Sequence, residues 1–248
     1  MASHRFLLYN IRYGTGSGGW RFHAPVPFSG YFRKTQKAFP EIASFIRSCD
    51  PDMVGLVEVD GGSGRHNGIN QARQVAEELG YHCVFQTKYK PSPFSRAIPI
   101  MGKQGNAVLA RHDILGHRYH YFEKGIKRLI IEVELEDVVL FLVHLSLHPG
   151  HRQQQLAELG LLIRGVGKPV IVGGDFNAFA GSRELAGFLS ATGLVSANAA
   201  NVRTFPSKRP RWELDYIFHS RQVRVNDMHA PSVRFSDHLP LVCDFTIK

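Results

Sequence analysis

Six short segments each place a polar, chemistry-bearing side chain at the end of an apolar run. They are Leu7-Leu8-Tyr9-Asn10, Val54-Gly55-Leu56-Val57-Glu58, Leu140-Phe141-Leu142-Val143-His144, Val170-Ile171-Val172-Gly173-Gly174-Asp175-Phe176-Asn177, Leu214-Asp215-Tyr216-Ile217-Phe218 and Ser236-Asp237-His238. One buried strand tipped by an acid/base or metal-binding residue is common. Six such strands, carrying Asn, Glu, His, Asp with Asn, Asp, and Asp with His, are not. If the tips converge they form a cation site flanked by two imidazoles, the inventory for hydrolysing a phosphate ester.

A hard divalent cation needs only one or two carboxylates beside water and phosphate oxygens, and Glu58 offers one. Alone it equally caps a strand or meets an arginine. Asn10 offers a neutral ligand or a phosphate donor; alone it reads as a turn residue. Gly174-Asp175-Phe176-Asn177 is the sharpest local signal. The two glycines before Asp175 are expected to let the chain turn tightly after the buried run. Asp175 and Asn177 are spaced by two, so in extended geometry both point the same way. A carboxylate beside an amide can orient and deprotonate a water while donating to a phosphate oxygen. An Asx turn is the ordinary alternative, but it leaves the other tips unexplained. Among 13 histidines, His144 and His238 stand apart by position. A histidine whose second nitrogen is held by a carboxylate is fixed in tautomer and made more basic, and Asp215 is the expected carboxylate. His148 and His151 read as surface or loop residues.

Positioning these tips requires alternating strands and helices. Strands are expected at Phe6–Arg12, Met53–Val57, His82–Gln86, Asn106–Ala110, Leu129–Leu135, Val138–Val143, Pro169–Val172, Tyr216–Phe218 and Leu239–Thr246. Apolar residues at helical spacing predict helices over Arg33–Cys49, Asn70–Leu79, Arg152–Arg164 and Ser182–Ala191. Asp50-Pro51 ends the first, and Gly80 is the expected cap of the second. Some strand pairs are separated by helices and others are hairpin-like, which points to an α/β layered fold with mixed sheets. Composition does not shift along the chain, so residues 1–248 are read as a single domain. Long loops at Tyr13–Ser29 and Lys88–Gln104 mark functional segments.

The chain has 248 residues, of which 44% are hydrophobic and 21% charged. That is ordinary for a globular protein and sufficient to bury a core without staples. Cys49, Cys83 and Cys243 are odd in number, far apart and without CxxC spacing, against a disulfide framework or structural zinc. The apolar run after Arg5 is too short for a signal-peptide core. No stretch approaches the roughly 18 apolar residues of a membrane span, so a soluble, cytoplasmic protein is expected; a monomer is expected as well. The formal charge of +9 attracts nucleic acid, anionic lipid headgroups or phosphorylated metabolites. Basic residues cluster at Arg33-Lys34-Lys37, at Lys88-Lys90-Arg96-Lys103 and at Arg203-Lys208-Arg209-Arg211, each of which alone reads equally as solvated loop charge.

Together these residues closely resemble the endonuclease/exonuclease/phosphatase superfamily, which includes pancreatic-type deoxyribonucleases, apurinic-site endonucleases, inositol polyphosphate phosphatases and bacterial sphingomyelinases. The match runs from Asn10 to His238 in the family's order, and Gly-Asp-Phe-Asn with a terminal Ser-Asp-His is highly specific. The resemblance implies an α/β four-layer sandwich, two packed mixed β-sheets flanked by helices. It also implies phosphoester hydrolysis dependent on Mg2+ or Mn2+. Carried over, Glu58 is the principal metal ligand with Asn10 and Asp237 close by. Asp175 activates the attacking water, and Asn177 holds the phosphate. Asp215 orients His238, which stabilises charge on the phosphoryl oxygens. His144 contacts the phosphate or protonates the leaving oxygen. Gly105-Asn106-Ala107-Val108-Leu109 resembles a family strand, making Asn106 a substrate-side residue. Some nucleases of the family support the first histidine with an acidic residue just before this strand; none stands between Pro91 and Ala110 here.

The substrate is set by loops, not by this constellation. Trp20, Phe22 and Phe28 offer rings for bases or lipid, or pack locally. Glu58-Val59-Asp60-Gly61-Gly62-Ser63-Gly64-Arg65, with Asn70-Gln71, resembles small bacterial family members and the lipid-remodelling branch, where Arg65 reaches the phosphate. The basic and aromatic stretch Thr204–Trp212 suits a nucleic-acid backbone or a headgroup pocket. A metal-dependent phosphodiesterase or phosphatase acting on a lipid headgroup or small metabolite is the first expectation. A nuclease, repair-type included, is the second, and a non-catalytic phosphate-binding module the third.

Overall fold

The computed structural model describes residues 3–17, 38–89 and 100–248. Trp20, Phe22, Phe28, the Arg33-Lys34-Lys37 cluster and its stretch of the first expected helix, Lys90, Arg96 and the prolines at 91, 93 and 99 lie outside them. Two mixed six-stranded sheets are packed face to face. The first contains β1 (Ser3–Asn10), β2 (Met53–Asp60), β3 (His82–Thr87), β4 (Gln104–Ala110), β11 (Val223–His229) and β12 (Leu241–Ile247), in the order β11-β12-β1-β2-β4-β3. The second contains β5 (Gly116–Tyr121), β6 (Leu129–Glu134), β7 (Val139–His144), β8 (Val170–Asp175), β9 (Val195–Ser196) and β10 (Asp215–His219), in the order β5-β6-β7-β8-β10-β9. Helices α1 (Ala38–Cys49) and α2 (Gln71–Leu79) cover the outside of the first sheet. Helices α3 (Pro149–Arg164) and α4 (Ser182–Thr192) cover the outside of the second.

The layering follows from strand periodicity. Alternate side chains point to opposite faces, so Phe6 and Leu8 of β1 enter the core between the sheets with Leu140, Leu142, Ile171, Ile217 and Leu241. Their neighbours Leu7 and Tyr9 turn outward against Phe39, Ile42 and Ile46 of α1 and Val75 of α2. On the other side Phe141, Val143 and Val172 meet Leu156 and Leu159 of α3 and Phe188 of α4. Central strands buried on both faces must be apolar almost throughout, which is why the runs end in isolated polar tips.

Strand direction brings those tips to one end. β1 runs parallel to β2, and β7 parallel to β8. β10 is antiparallel to β8, with Asp215 opposite Asp175, and β12 is antiparallel to β1, so its start lies beside the end of β1. Asn70 caps α2 with its side chain, and Gly80 closes it in the left-handed region at φ 69°. The expected turn at Gly173-Gly174 is not formed; both residues lie inside β8. They are small for packing reasons. A Cβ on Gly173 would stand 2.8 Å from the Phe6 ring, and one on Gly174 only 2.1 Å from the Val143 carbonyl oxygen.

Candidate active site

Glu58 is aimed into the site by a bulge. The register between β2 and β4 shifts between Leu56 and Val59, and Glu58 adopts a left-handed φ of 58°. Bulges re-aim side chains, and strained backbone concentrates at functional positions. The Glu58 N–H, displaced from the ladder, donates to Oδ1 of Asn106 at 3.3 Å. The fully buried Asn106 thus supports Glu58 from behind. Burial alone would raise the Glu58 pKa, but the ammonium groups of Lys88 and Lys127 outweigh it and hold the carboxyl at about 2.

Asp175 ends β8 and is buried. Its Oδ1 accepts the Asn177 N–H at 3.0 Å, closing an Asx turn, and its Oδ2 accepts from Asn10 Nδ2 at 3.0 Å. Asn177 has φ 51°, so the pair is not in the extended geometry expected from its spacing. The turn and the shared direction coexist, because both residues line the same cavity. Asn177 Nδ2 donates to the Leu145 carbonyl at 2.9 Å, which fixes the amide plane. Burial pushes Asp175 up, yet His144, His238 and Lys127 hold it well below the usual carboxylate range.

His238 Nδ1 lies 2.7 Å from Asp215 Oδ2, and its Nε2 lies 4.0 Å from Asp175 Oδ2. Burial would lower this histidine. The Asp215 carboxylate, helped by Asp175 and Asp237, raises it instead to about 10. His238 is therefore an imidazolium at neutral pH, with Nε2–H facing Asp175. Ser236 holds its loop in place by donating to the Asn10 carbonyl at 2.7 Å, and Arg12 pairs with Asp237 at 3.3 Å.

His144 is the opposite case. Its Nδ1 is 3.1 Å from Lys88 Nζ, and its Nε2 contacts Lys127 Nζ and lies 3.3 Å from Asp175 Oδ2. Burial, Lys127 and Lys88 together hold its pKa near 3, so the ring is neutral. Burial in turn pulls Lys88 down to about 8 in spite of Glu58.

Asn10, Glu58, Lys127, Asp175, Asn177, Asp237 and His238 line one cavity of about 400 Å³, with Leu147, Phe179, Phe205 and Trp212 among its other walls. His144, Asp215 and Asn106 stand directly behind that lining. Arg65 is not in it. It is buried against Asp60, with Nη2 at 2.9 Å from Oδ2, and lies over the Tyr13 ring at 4.8 Å. The sequence reading has Lys88 only as part of a basic loop cluster and does not name Lys127, although a topological signal marks both as site residues. Lys88 follows the end of β3, which runs alongside β2 through β4, and Lys127 precedes β6, which is antiparallel to β7. They are two further strand tips at the same end.

The donor set fits a hard cation. Glu58, Asn10 and Asp237 line the cavity, and each carries the type of oxygen donor that Mg2+ or Mn2+ takes. Asp175, Asp215 and His238 also form a buried cluster with ligand atoms within 4.8 Å of one another. Because His238 Nδ1 is already engaged by Asp215, that trio reads better as a carboxylate–imidazole relay.

The family model described as the endonuclease/exonuclease/phosphatase family matches residues 7–238. The uncharacterized protein YbhP of Escherichia coli K12 is 28% identical over 235 residues, covering 82% of this chain and 86% of its own length. Among solved structures, a mannosyl-6-phosphatase of Bacteroides thetaiotaomicron superposes with a TM-score of 0.71 at 17% identity, covering 98% of this chain and 100% of that one. The human Nocturnin catalytic domain with bound sulfate superposes with a TM-score of 0.69 at 23% identity, covering 99% and 95%. With a family match over nearly its whole length, a shared fold and a common end for its motif residues, the chain belongs to the endonuclease/exonuclease/phosphatase family.

Proposed function

We propose that this protein is a divalent-metal-dependent phosphoester hydrolase, a phosphodiesterase or phosphatase in which water attacks phosphorus directly. The observation that carries this reading is the Asp215–His238 relay at 2.7 Å, facing Asp175 across the cavity that Glu58 also lines. A Mg2+ or Mn2+ held by Glu58, with Asn10 and Asp237 beside it, would polarise the phosphate and ease the build-up of negative charge.

The residues divide the remaining work. Phosphoryl transfer has a loose transition state, so positioning and charge stabilisation dominate over proton removal. Asp175 suits that demand. A carboxylate held so far below the normal range is a weak base, and it orients the water through an oxygen already aligned by Asn10. Asn177 has one amide hydrogen on Leu145 and a second for a phosphate oxygen. His238 offers a charged N–H across a 4.0 Å gap from Asp175. His144 is neutral, which supports phosphate contact over protonation of the leaving oxygen.

Phe205, Trp212, Phe179 and Leu147 give one side of the cavity an apolar wall, suited to a phosphoester whose leaving group carries a ring or an apolar portion. The substrate class we favour is a small phosphorylated metabolite or lipid headgroup ester. A nuclease is the second reading, favoured by Trp212 at 38% exposure beside exposed Lys208 and Arg209, where a base could stack next to a basic edge. A panel of bis-p-nitrophenyl phosphate, headgroup esters, plasmid DNA and abasic duplex, each with Mg2+, Mn2+ or EDTA, tests both. Turnover of small esters but not DNA supports the first reading, and DNA cleavage the second. Phosphate binding without turnover of any substrate would identify a non-catalytic module.

A further inference from the structure

Two ammonium groups meet one imidazole in this site. A neutral imidazole has one acceptor nitrogen and one N–H, so His144 cannot accept from both Lys88 and Lys127. Lys88 is the fixed partner. Its side chain is 2% exposed, its Nζ is 3.1 Å from His144 Nδ1, and the Tyr13 ring lies 5.5 Å away. An ammonium donates and never accepts, so each lysine alone would claim its nitrogen as acceptor. Asp175 Oδ2, 3.3 Å from Nε2, decides between them, because that carboxylate takes an Nε2–H and leaves Nδ1 as the acceptor for Lys88. Lys127 then faces a donor. Among the described residues its carboxylate partner is Glu58 at 3.9 Å, too far for a hydrogen bond. Its side chain is 21% exposed on the cavity that Asp175 and His238 line. The result is a cation with a poor resting partner at the mouth of an anion site.

The position of Lys127 is also built. Gln155 of α3 is fully buried and binds three backbone groups. Its Nε2 donates to the carbonyls of Lys124 at 2.9 Å and Lys127 at 2.8 Å, and its Oε1 accepts the Ser146 N–H at 2.8 Å. One amide therefore registers the Lys127 loop against the chain two residues beyond His144. The loop has adapted to this contact. Gly125 has φ 100°, and a Cβ there would stand 2.7 Å from Gln155 Nε2.

We propose that Lys127 is a catalytic residue whose ammonium, beside Glu58 on the cavity wall, binds a non-bridging oxygen of the substrate phosphate, and that Gln155 is the positioning residue that holds it within reach. The phosphate oxygen supplies a full acceptor in place of the resting contacts of Lys127 with His144 Nε2 and Glu58. This assignment rests on the reading of the site as a phosphoester hydrolase.

The test compares the full-length wild type with Lys127→Met and Lys127→Arg. Binding of inorganic phosphate is measured by thermal shift with and without Mn2+, alongside Mn2+ affinity and kcat and KM on bis-p-nitrophenyl phosphate. Loss of one charge-assisted hydrogen bond weakens phosphate binding roughly 10- to 100-fold and lowers kcat about 100-fold. Lys127→Arg restores most of both, and Mn2+ affinity does not fall in Lys127→Met, because removing a cation 3.9 Å from Glu58 cannot weaken the binding of another cation there. Wild-type phosphate affinity in Lys127→Met overturns the proposal. So does a loss of Mn2+ binding large enough to explain the phosphate effect, and so does a wild type that binds no phosphate. If the wild type binds phosphate but hydrolyses no ester with either metal, the hydrolase reading fails while the phosphate contact of Lys127 is still decided by the binding arm.

Discussion

Asn106 illustrates how much of this site depends on groups that stand behind its lining. Its Oδ1 takes the amide hydrogen that the β2 bulge removes from the ladder. Asn106→Leu leaves a buried N–H unmet, at a cost of about 1–3 kcal/mol. Urea denaturation should show that loss, and Mn2+ titration should show weaker binding as Glu58 loses its support. The two histidines make a second residue-scale prediction. In metal-free protein the Asp215 carboxylate is expected to hold His238 at about 10, and Asp215→Asn should bring it down markedly in an imidazole NMR titration. A wild-type His238 titrating near 6.5 would contradict the relay. The sign for stability follows. His238 binds its proton more tightly folded than unfolded, so its contribution is complete below about pH 6.5 and is lost as pH rises toward 10. His144 works the other way. It stays neutral to about 3 while the unfolded chain takes up a proton, so stability falls as pH drops below about 6.5. The tip residues were legible because each interrupts an apolar run. Lys88 was not, because a buried lysine and a surface lysine look alike in sequence until a partner such as His144 is placed beside it.

At the level of elements, the strands that carry the tips do so through close backbone approach. Gly174 sits between Val143 of β7 and Tyr216 of β10, where a methyl group would collide with the Val143 carbonyl. Gly174→Ala is expected to cost at least about 2 kcal/mol by chemical denaturation. It should also displace Asp175, lowering activity in the fraction that still folds. Retained stability and activity would mean that the β7–β8 spacing is looser than described. The buried strands were readable because their apolar runs have no other interpretation. The edge strands β5 and β11 were not read, and their sequences explain why. Gly116–Tyr121 and Val223–His229 have mostly part-exposed or exposed side chains, and their core-facing residues, Tyr119 and Tyr121 in one and Val223 and Val225 in the other, are too few among polar neighbours to announce a strand. The Gly-Gly pair misled for a different reason. Glycine signals a turn and a close approach equally well, and only the neighbouring Phe6 and Val143 decide between them.

On the scale of the whole molecule, the two sheets and four α-helices of the described residues place every motif residue except Arg65 at or directly behind one cavity. None of the helices among the described residues is long and apolar enough to cross a membrane. The site gathers Glu58, Asp175, Asp215 and Asp237 against Lys88, Lys127 and His238, so a divalent ion should bind the folded chain far better than the unfolded one. At 100 times its dissociation constant such an ion adds about 2.7 kcal/mol to stability. Mn2+ should raise the melting temperature, EDTA should reverse the rise, and Glu58→Gln should abolish it. The most direct test of the hydrolase reading is the Mn2+-dependent turnover of bis-p-nitrophenyl phosphate by Asp175→Asn, a change that keeps the side-chain shape and removes the charge. The expected result is a fall in kcat of about 1000-fold or more, with the melting temperature and Mn2+ affinity near those of the wild type. Turnover at the wild-type rate, or activity that persists in EDTA, would contradict it.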